Sequence, residues 1–238
     1  MQMGTFLKNL RNEIDYWIRD RMRFSIPIKA DATIPKRDLG FQRELDQFLN
    51  LFSWQPVLQG RPHPLIAADI GCRNFALAPV LHQLFQKLSV SSQIYGVEID
   101  AHRRLANFRT RGDYGRFFAN QVPSGQFEAI DFLQWRKDLD VAFLLNPFVS
   151  EDPILDWGLP KKFLKPTAIL KHARELLERR QGILLLSSPE EEWEISFGLA
   201  RKSGFSLIEK KNWHPSPISI QKKTRFGGLF RLASPTNP

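Results

Sequence analysis

Ala67-Ala68-Asp69-Ile70-Gly71 reads as a strand that ends in an acid and runs into a glycine turn. That arrangement sets a carboxylate and bare backbone at the carboxyl edge of a sheet, where open α/β sheets bind their ligands. The next apolar run, Ile94-Tyr95-Gly96-Val97-Glu98, also ends in an acid. A planar carboxylate at that point can accept from both hydroxyls of a ribose. Gly71 and Glu98 stand 27 residues apart, more than the roughly 20 of a nicotinamide fingerprint but ample for a strand-helix-strand unit. Gly71-Cys72-Arg73-Asn74-Phe75 also lacks the glycine spacing of a nicotinamide site. Two more polar groups follow apolar runs: Asp131 in Ala129-Ile130-Asp131-Phe132-Leu133, and Asn146 in Asn146-Pro147-Phe148. Each has a plainer reading. Glu98 with Asp100 could cap the next helix, Asp131 could start one, and Asn146-Pro147 could be an ordinary turn with extended geometry before the proline.

Other chemistries find no support. Cys72 is the single cysteine, so it cannot form an internal disulfide, and no clustered histidines complete a zinc-type set; the expectation is no metal and a reducing, cytoplasmic setting. Cys72 itself reads as a small buried residue, because nothing nearby marks it as activated. His63, His82, His102, His172 and His214 lack the contexts that identify a base in a Ser-His-Asp arrangement. The N-terminus alternates Phe6, Leu7 and Leu10 with Lys8 and Arg11, unlike a signal peptide, and no apolar run approaches the roughly 20 residues of a membrane span. A soluble protein with no membrane partner is expected.

The elements that must hold these groups alternate along the chain. Residues 5–23 place Phe6, Leu10, Ile14, Trp17, Ile18 and Met22 at helical steps among mixed charges, which predicts an amphipathic helix that docks by its apolar face. Ile26-Pro27-Ile28 to Pro35-Lys36-Arg37 reads as an extended connector, and Phe41, Leu45, Phe48, Leu49 and Phe52 as one face of a second helix. Trp54-Gln55-Pro56 and Gly60-Arg61-Pro62 break the pattern. This divides the chain into an N-terminal helical extension, 1–60, and a Rossmann-like domain, 61–238. In the latter, short apolar runs at Leu65–Ala68, Ile94–Val97, Phe127–Ile130, Val141–Leu145, Ile183–Leu186, Phe205–Ile208 and Phe226–Leu232 alternate with amphipathic helices. They predict an α/β fold, a doubly wound, mostly parallel sheet of about seven strands. A helix over Pro166–Arg180 and another from Glu190-Glu191-Glu192 to a stop at Gly204 follow from proline, acid and glycine placement.

With these motifs in this order, the sequence resembles the class I S-adenosylmethionine-dependent methyltransferases over roughly residues 61–232. The resemblance implies S-adenosylmethionine as cofactor. Asp69, Gly71, Cys72 and Arg73 would form its first motif, with Gly71 under the methionine part and Asp69 near its amino group. Glu98 would take the ribose hydroxyls, Asp131 the adenine amino group, and Phe132 would pack beside the ring. Asn146, Pro147 and Phe148 would border the methyl group and the incoming nucleophile, as the catalytic segment. The motif departs from the family at Arg73 and Phe75, where members usually carry glycine. Arg73 there could clamp the cofactor carboxylate through its planar fork or point to solvent.

The activity implied is methyl transfer to a nitrogen or oxygen of an unidentified acceptor. Carbon methylation of a pyrimidine needs a cysteine after the fourth strand, and none is present. The other reading is a noncatalytic member of the fold that binds nucleic acid or a protein partner. The chain carries a formal +9 charge, and from Arg201 onward eight basic residues face the single acid Glu209. That region suits RNA or another polyanion, and suits plain solvation equally. The acidic, aromatic stretch 147–160, with Glu151, Asp152, Asp156 and Trp157, reads as a long loop that could wall a substrate pocket.

Overall fold

The computed structural model describes residues 3–214 and 223–233. Its centre is a seven-stranded sheet: β1 (Leu65–Ile70), β2 (Ser92–Val97), β3 (Gly125–Glu128), β4 (Val141–Leu145), β5 (Ile183–Pro189), β6 (Phe205–Trp213) and β7 (Arg225–Leu232). The spatial order is β3-β2-β1-β4-β5-β7-β6. Strands β1 to β5 run parallel, while β7 is antiparallel to β5 and to β6. This is the mostly parallel, doubly wound sheet that the alternation predicts. Order reverses between β1 and β4, so the carboxyl ends of β1, β2 and β4 open onto one crevice.

The central strands are apolar almost throughout, because helices cover both faces of the sheet. One layer of core joins Leu65 and Ala67 of β1 to α4 (Ala78–Lys87), and also to α2 (Lys36–Leu49) and α3 (Trp54–Leu58), through Leu45, Phe48, Leu49, Trp54 and Leu58. The other joins Ala68, Tyr95 and Leu184 to α7 (Pro166–Glu178) and α8 (Glu190–Lys202). Local signals set the helix ends. Pro166 occupies the first turn of α7, and α8 begins on three glutamates and ends on Arg201 and Lys202, as the helix dipole favours. Gly204 follows at φ 86°. In α5 (Arg111–Ala119), Thr110 and Asp113 form a reciprocal capping box.

Several expectations need correction. The break at Trp54-Gln55-Pro56 is the short helix α3, where proline is tolerated in the first turn. The stretch 147–160 is not a continuous loop: it folds into α6 (Glu151–Asp156), which buries Ile154 and Leu155, and a 3-10 turn follows at Lys161–Phe163. The third strand ends at Glu128, two residues before the expected Ile130. The largest correction concerns α1 (Met3–Met22). Its apolar side faces solvent, and it docks by its polar side.

The glycine-poor first motif finds its explanation in packing. Arg73 and Phe75 adopt φ 58° and 53°, the left-handed region that glycine enters without strain. Phe75 turns its ring away from the crevice into the core, where it is fully buried. Space for it exists because β2 has glycine at position 96: a Cβ there would stand 2.5 Å from the Phe75 ring and 2.9 Å from Cys72 Sγ. Gly96→Ala is therefore expected to destabilise the chain by about 1–3 kcal/mol through overpacking, and by much less in a Phe75→Ala background. A double-mutant cycle in denaturant measures this; equal costs in both backgrounds would remove the coupling.

Candidate functional site

Parallel register places Asp69 beside Gly96 on one side and Phe143 on the other, at the carboxyl edge. The chain then turns at Gly71, φ 72°, with the Gly71 N–H donating to Val97 O at 2.9 Å. A Cβ at Gly71 would meet nothing within 4 Å, so its outer surface is open. Glu98 closes this turn from β2. Its Oε2 accepts from the Arg73 N–H at 2.7 Å and its Oε1 from the Asp100 N–H at 2.7 Å. It caps backbone, as the plainer reading held, though of two loops and not of a helix. Each oxygen keeps a lone pair, and Glu98 still lines the crevice.

The two acids titrate abnormally. Burial, with repulsion from Glu98, pushes Asp69 up to about 7. Its Oδ2 is buried without a hydrogen-bond partner among the described residues, an acceptor that lacks its donor. Burial also raises Glu98; Arg111 opposes the shift and Asp100 adds to it. Cys72 is buried and its thiol is pushed well up, first by burial and then by Asp69 and Glu98, so it is no nucleophile at neutral pH.

Two cavities meet at the edge, sharing Gly71, Arg73, Leu145 and Asn146. The larger, about 240 Å³, is lined by Glu98, Ile99, Asp131, Phe132, Pro147, Phe148, Trp157 and Ile169 among others. Asp131 Oδ1 caps the 3-10 turn Phe132–Gln134 by accepting from the Leu133 N–H at 3.0 Å. That is its plainer role, and it leaves the second oxygen for a ligand. Phe132 is buried, stacked on Trp135 with the ring planes 28° apart. Asn146 is exposed at φ 61°, left-handed where the following proline suggests extended backbone. Its N–H donates to Ser187 O at 2.8 Å, which fixes the turn so that the residue borders both cavities. The smaller cavity, about 100 Å³, is walled by Phe41, Glu44, Phe48, Asp69, Trp213 and Arg225.

Arg73 does not point to solvent, and the carboxylates of Asp38 and Glu98 act on its charge. Its guanidinium lies 5.4 Å from the Phe41 ring centroid and 4.9 Å from that of Trp157, between the cavities. Arg111 approaches Trp157 as well, at 4.7 Å, and burial lowers its pKa to about 10. Trp157 thus meets two guanidiniums and, at 6.1 Å, the Phe148 ring. Behind it, buried Asp100 pairs with Arg111 at 2.9 Å, Arg19 at 3.2 Å and Arg103.

Sequence reasoning missed this arginine cluster and the smaller cavity, whose lining comes from six separate helices and strands and the turn after β1. A lone Asp100 and scattered arginines give no spacing signal. The basic C-terminal region also changes on inspection. Arg225 is buried on the smaller cavity, Lys211 pairs with Glu209 at 2.8 Å and Lys223 with Glu191. Arg201, Lys202, Lys210 and Arg231 are exposed; Lys222 lies outside the described residues. Among the described residues no three His, Cys, Asp or Glu side chains gather as a metal site, and no helix is long and apolar enough to cross a membrane.

No family model and no curated protein matches the sequence. Solved structures do. The magnesium protoporphyrin IX methyltransferase of Synechocystis PCC 6803, solved with bound S-adenosylmethionine, aligns over 98 % of both chains at 18 % identity and TM-score 0.53. The chain has the class I S-adenosylmethionine-dependent methyltransferase fold. A putative RNA methyltransferase from Pyrococcus horikoshii shares this methyltransferase fold over 92 % of this chain and 98 % of its own, at 14 % identity and TM-score 0.53. A putative class I methyltransferase from Listeria monocytogenes aligns over 98 % of this chain and 72 % of its own, at 14 % identity and TM-score 0.55.

Proposed function

We propose that this chain is an S-adenosylmethionine-dependent methyltransferase that methylates a nitrogen or oxygen of its acceptor. One observation carries the reading: the partnerless Oδ2 of Asp69 lies buried beside the open Gly71 turn, at the edge onto which Glu98, Asp131 and Asn146 also face. A buried carboxylate oxygen without a donor is costly, and a cofactor's ammonium supplies that donor. Bound structural relatives hold the same class of cofactor on this fold, which supports the assignment.

In this reading the adenosine half occupies the larger cavity. Glu98 accepts from the ribose hydroxyls with the lone pairs its backbone contacts leave, Asp131 accepts from the adenine amino group, and Phe132 packs beside the ring. Cys72 contributes small bulk under the turn. Arg73, whose guanidinium lies between the cavities beside Phe41 and Trp157, would hold the cofactor carboxylate. The bound cofactor supplies an electrophilic methyl on a sulfonium. The chain supplies position, the main requirement of such a transfer. Asn146 would accept from an N–H or O–H of the acceptor; as the acceptor's bond to the methyl carbon formed, the sulfonium–methyl bond would break to release S-adenosylhomocysteine and the proton would pass to water, with Pro147 fixing the Asn146 backbone and Phe148 walling the site.

Labelled methyl from S-adenosylmethionine, offered to RNA and to small-molecule extracts, should appear in an acceptor and fall at least tenfold with Asn146→Ala. No transfer together with salt-sensitive RNA binding would favour instead the noncatalytic reading, with exposed Arg201, Lys202, Lys210 and Arg231 making phosphate contacts. Ionised Asp69 is the form that accepts an ammonium, so cofactor affinity should rise about tenfold from pH 6 to pH 8 as that group titrates near 7. A flat profile would remove Asp69 from the amino-group role.

A further inference from the structure

Helix α1 is bound to the rest of the chain by its polar face. The buried Asn12 amide donates to Leu155 O at 3.0 Å and to Leu159 O at 3.1 Å. Tyr16 donates to Ile99 O at 3.4 Å, and Arg19 pairs with Asp100 at 3.2 Å. The opposite face is apolar and open. Phe6, Leu7, Leu10, Ile14, Trp17 and Ile18 are each between 41 and 59 % exposed, and Met3, Met22 and Phe24 extend the stripe. Turning it inward would break the Asn12 bonds and strip an arginine from buried Asp100. Among the described residues nothing supplies its cover.

Three observations choose that cover. Leu7, Leu10, Ile14 and Trp17 follow one another at steps of three and four, the seam by which two helices pack side by side. Scaled by about 160–250 Å² for each large side chain, the exposed fractions amount to roughly 900 Å² of apolar surface. That exceeds the roughly 300–600 Å² of the largest patch on a typical monomer and matches the roughly 800 Å² each partner gives to a standard interface. The rim also sets acids beside its cations: Arg11 pairs with Asp15 at 3.7 Å and Arg23 with Asp20 at 3.8 Å, while Arg21 lies over Trp17. A helix built to lie on lipid carries surplus cations there.

We propose that α1 is a homodimer interface, in which the stripe of one chain packs on the same stripe of a second copy. Such a contact is isologous and closes on itself, leaving no apolar surface to recruit further copies. It also backs the crevice. Asn12 holds the C-terminal end of α6 and the turn that follows it, and Arg19 shares Asp100 with Arg111, which lies on Trp157.

Sedimentation equilibrium tests the proposal. The full chain should have twice its 27.6 kDa mass at tens of micromolar, and Leu10→Asp/Ile14→Asp should have the single-chain mass with an unchanged melting temperature. Should that pair unfold, Leu7→Lys reads the same equilibrium at an exposed position. Full chain that stays monomeric up to about 100 µM, a range that captures even weak dimers, would overturn it. So would a dimer that survives the substitutions. Flotation with phosphatidylcholine–phosphatidylglycerol vesicles completes the test: monomer that floats with lipid through this stripe would assign the face to a membrane surface and overturn the dimer.

Discussion

Glu98→Ala is expected to lower both stability and cofactor affinity. The carboxylate bridges the Arg73 and Asp100 N–H groups, so its removal leaves two donors unpaired at a buried position, at about 1–3 kcal/mol each. In a chain of this size each kcal/mol moves Tm by roughly 2–4 °C, which gives a fall of about 4–24 °C in thermal denaturation. Affinity should fall at least about 100-fold, since hydrogen bonds to a charged acceptor are worth roughly 1.5–3 kcal/mol each. Glu98→Gln separates the two roles. Its carbonyl keeps one backbone bond, so it should melt above the alanine variant and yet bind weakly. Wild-type stability in Glu98→Ala would refute the bridging role.

Asp69→Asn should do the reverse to stability and the same to binding. Asp69 holds its proton up to about 7 in the folded chain, but near its ordinary 3.8 when unfolded. The folded state therefore binds more protons between these values, and stability falls as pH rises from about 4 to about 7. The raised pKa sets a ceiling of about 4 kcal/mol on that loss. Asparagine carries no charge, so the variant should gain on the order of 1–2 kcal/mol at pH 8, several degrees of Tm, and lose that pH slope. Its affinity for the cofactor should drop tenfold or more, with pH dependence abolished. A variant no more stable than wild type at pH 8 would show that the buried charge is not the cost it is taken to be.

These two acids mark how far the sequence could be read. Strand order, the acid-tipped strands and the glycine turn are local patterns, so Asp69, Gly71, Glu98, Asp131 and Asn146 were all visible as residues at a sheet edge. What each touches was not. That Glu98 would cap Arg73 and Asp100 depends on the fold bringing two loops within 3 Å. The sequence does not show where the Phe75 ring goes, because its direction is set by Gly96 on the neighbouring strand and not by its own segment.

Helix α1 is legible as amphipathic from its 3.6-residue period, but the rule that apolar faces turn inward assumes a single chain. Asn12, which decides the orientation, is one polar residue among several, and only its carbonyl partners Leu155 on α6 and Leu159 just beyond it distinguish it. Arg225 was counted with the basic terminus and is instead part of a cavity wall. Charge counts along a sequence do not resolve burial.

The central claim is that the edge of β1 and β2 holds S-adenosylmethionine. Isothermal titration of the full chain with S-adenosylmethionine and S-adenosylhomocysteine tests it most directly. The account predicts saturable one-to-one heat with both ligands, weakened in Glu98→Ala and Asp69→Asn and unchanged in Leu10→Asp/Ile14→Asp. An absence of heat at millimolar ligand, or equal affinity in the Glu98 and Asp69 variants, would contradict it.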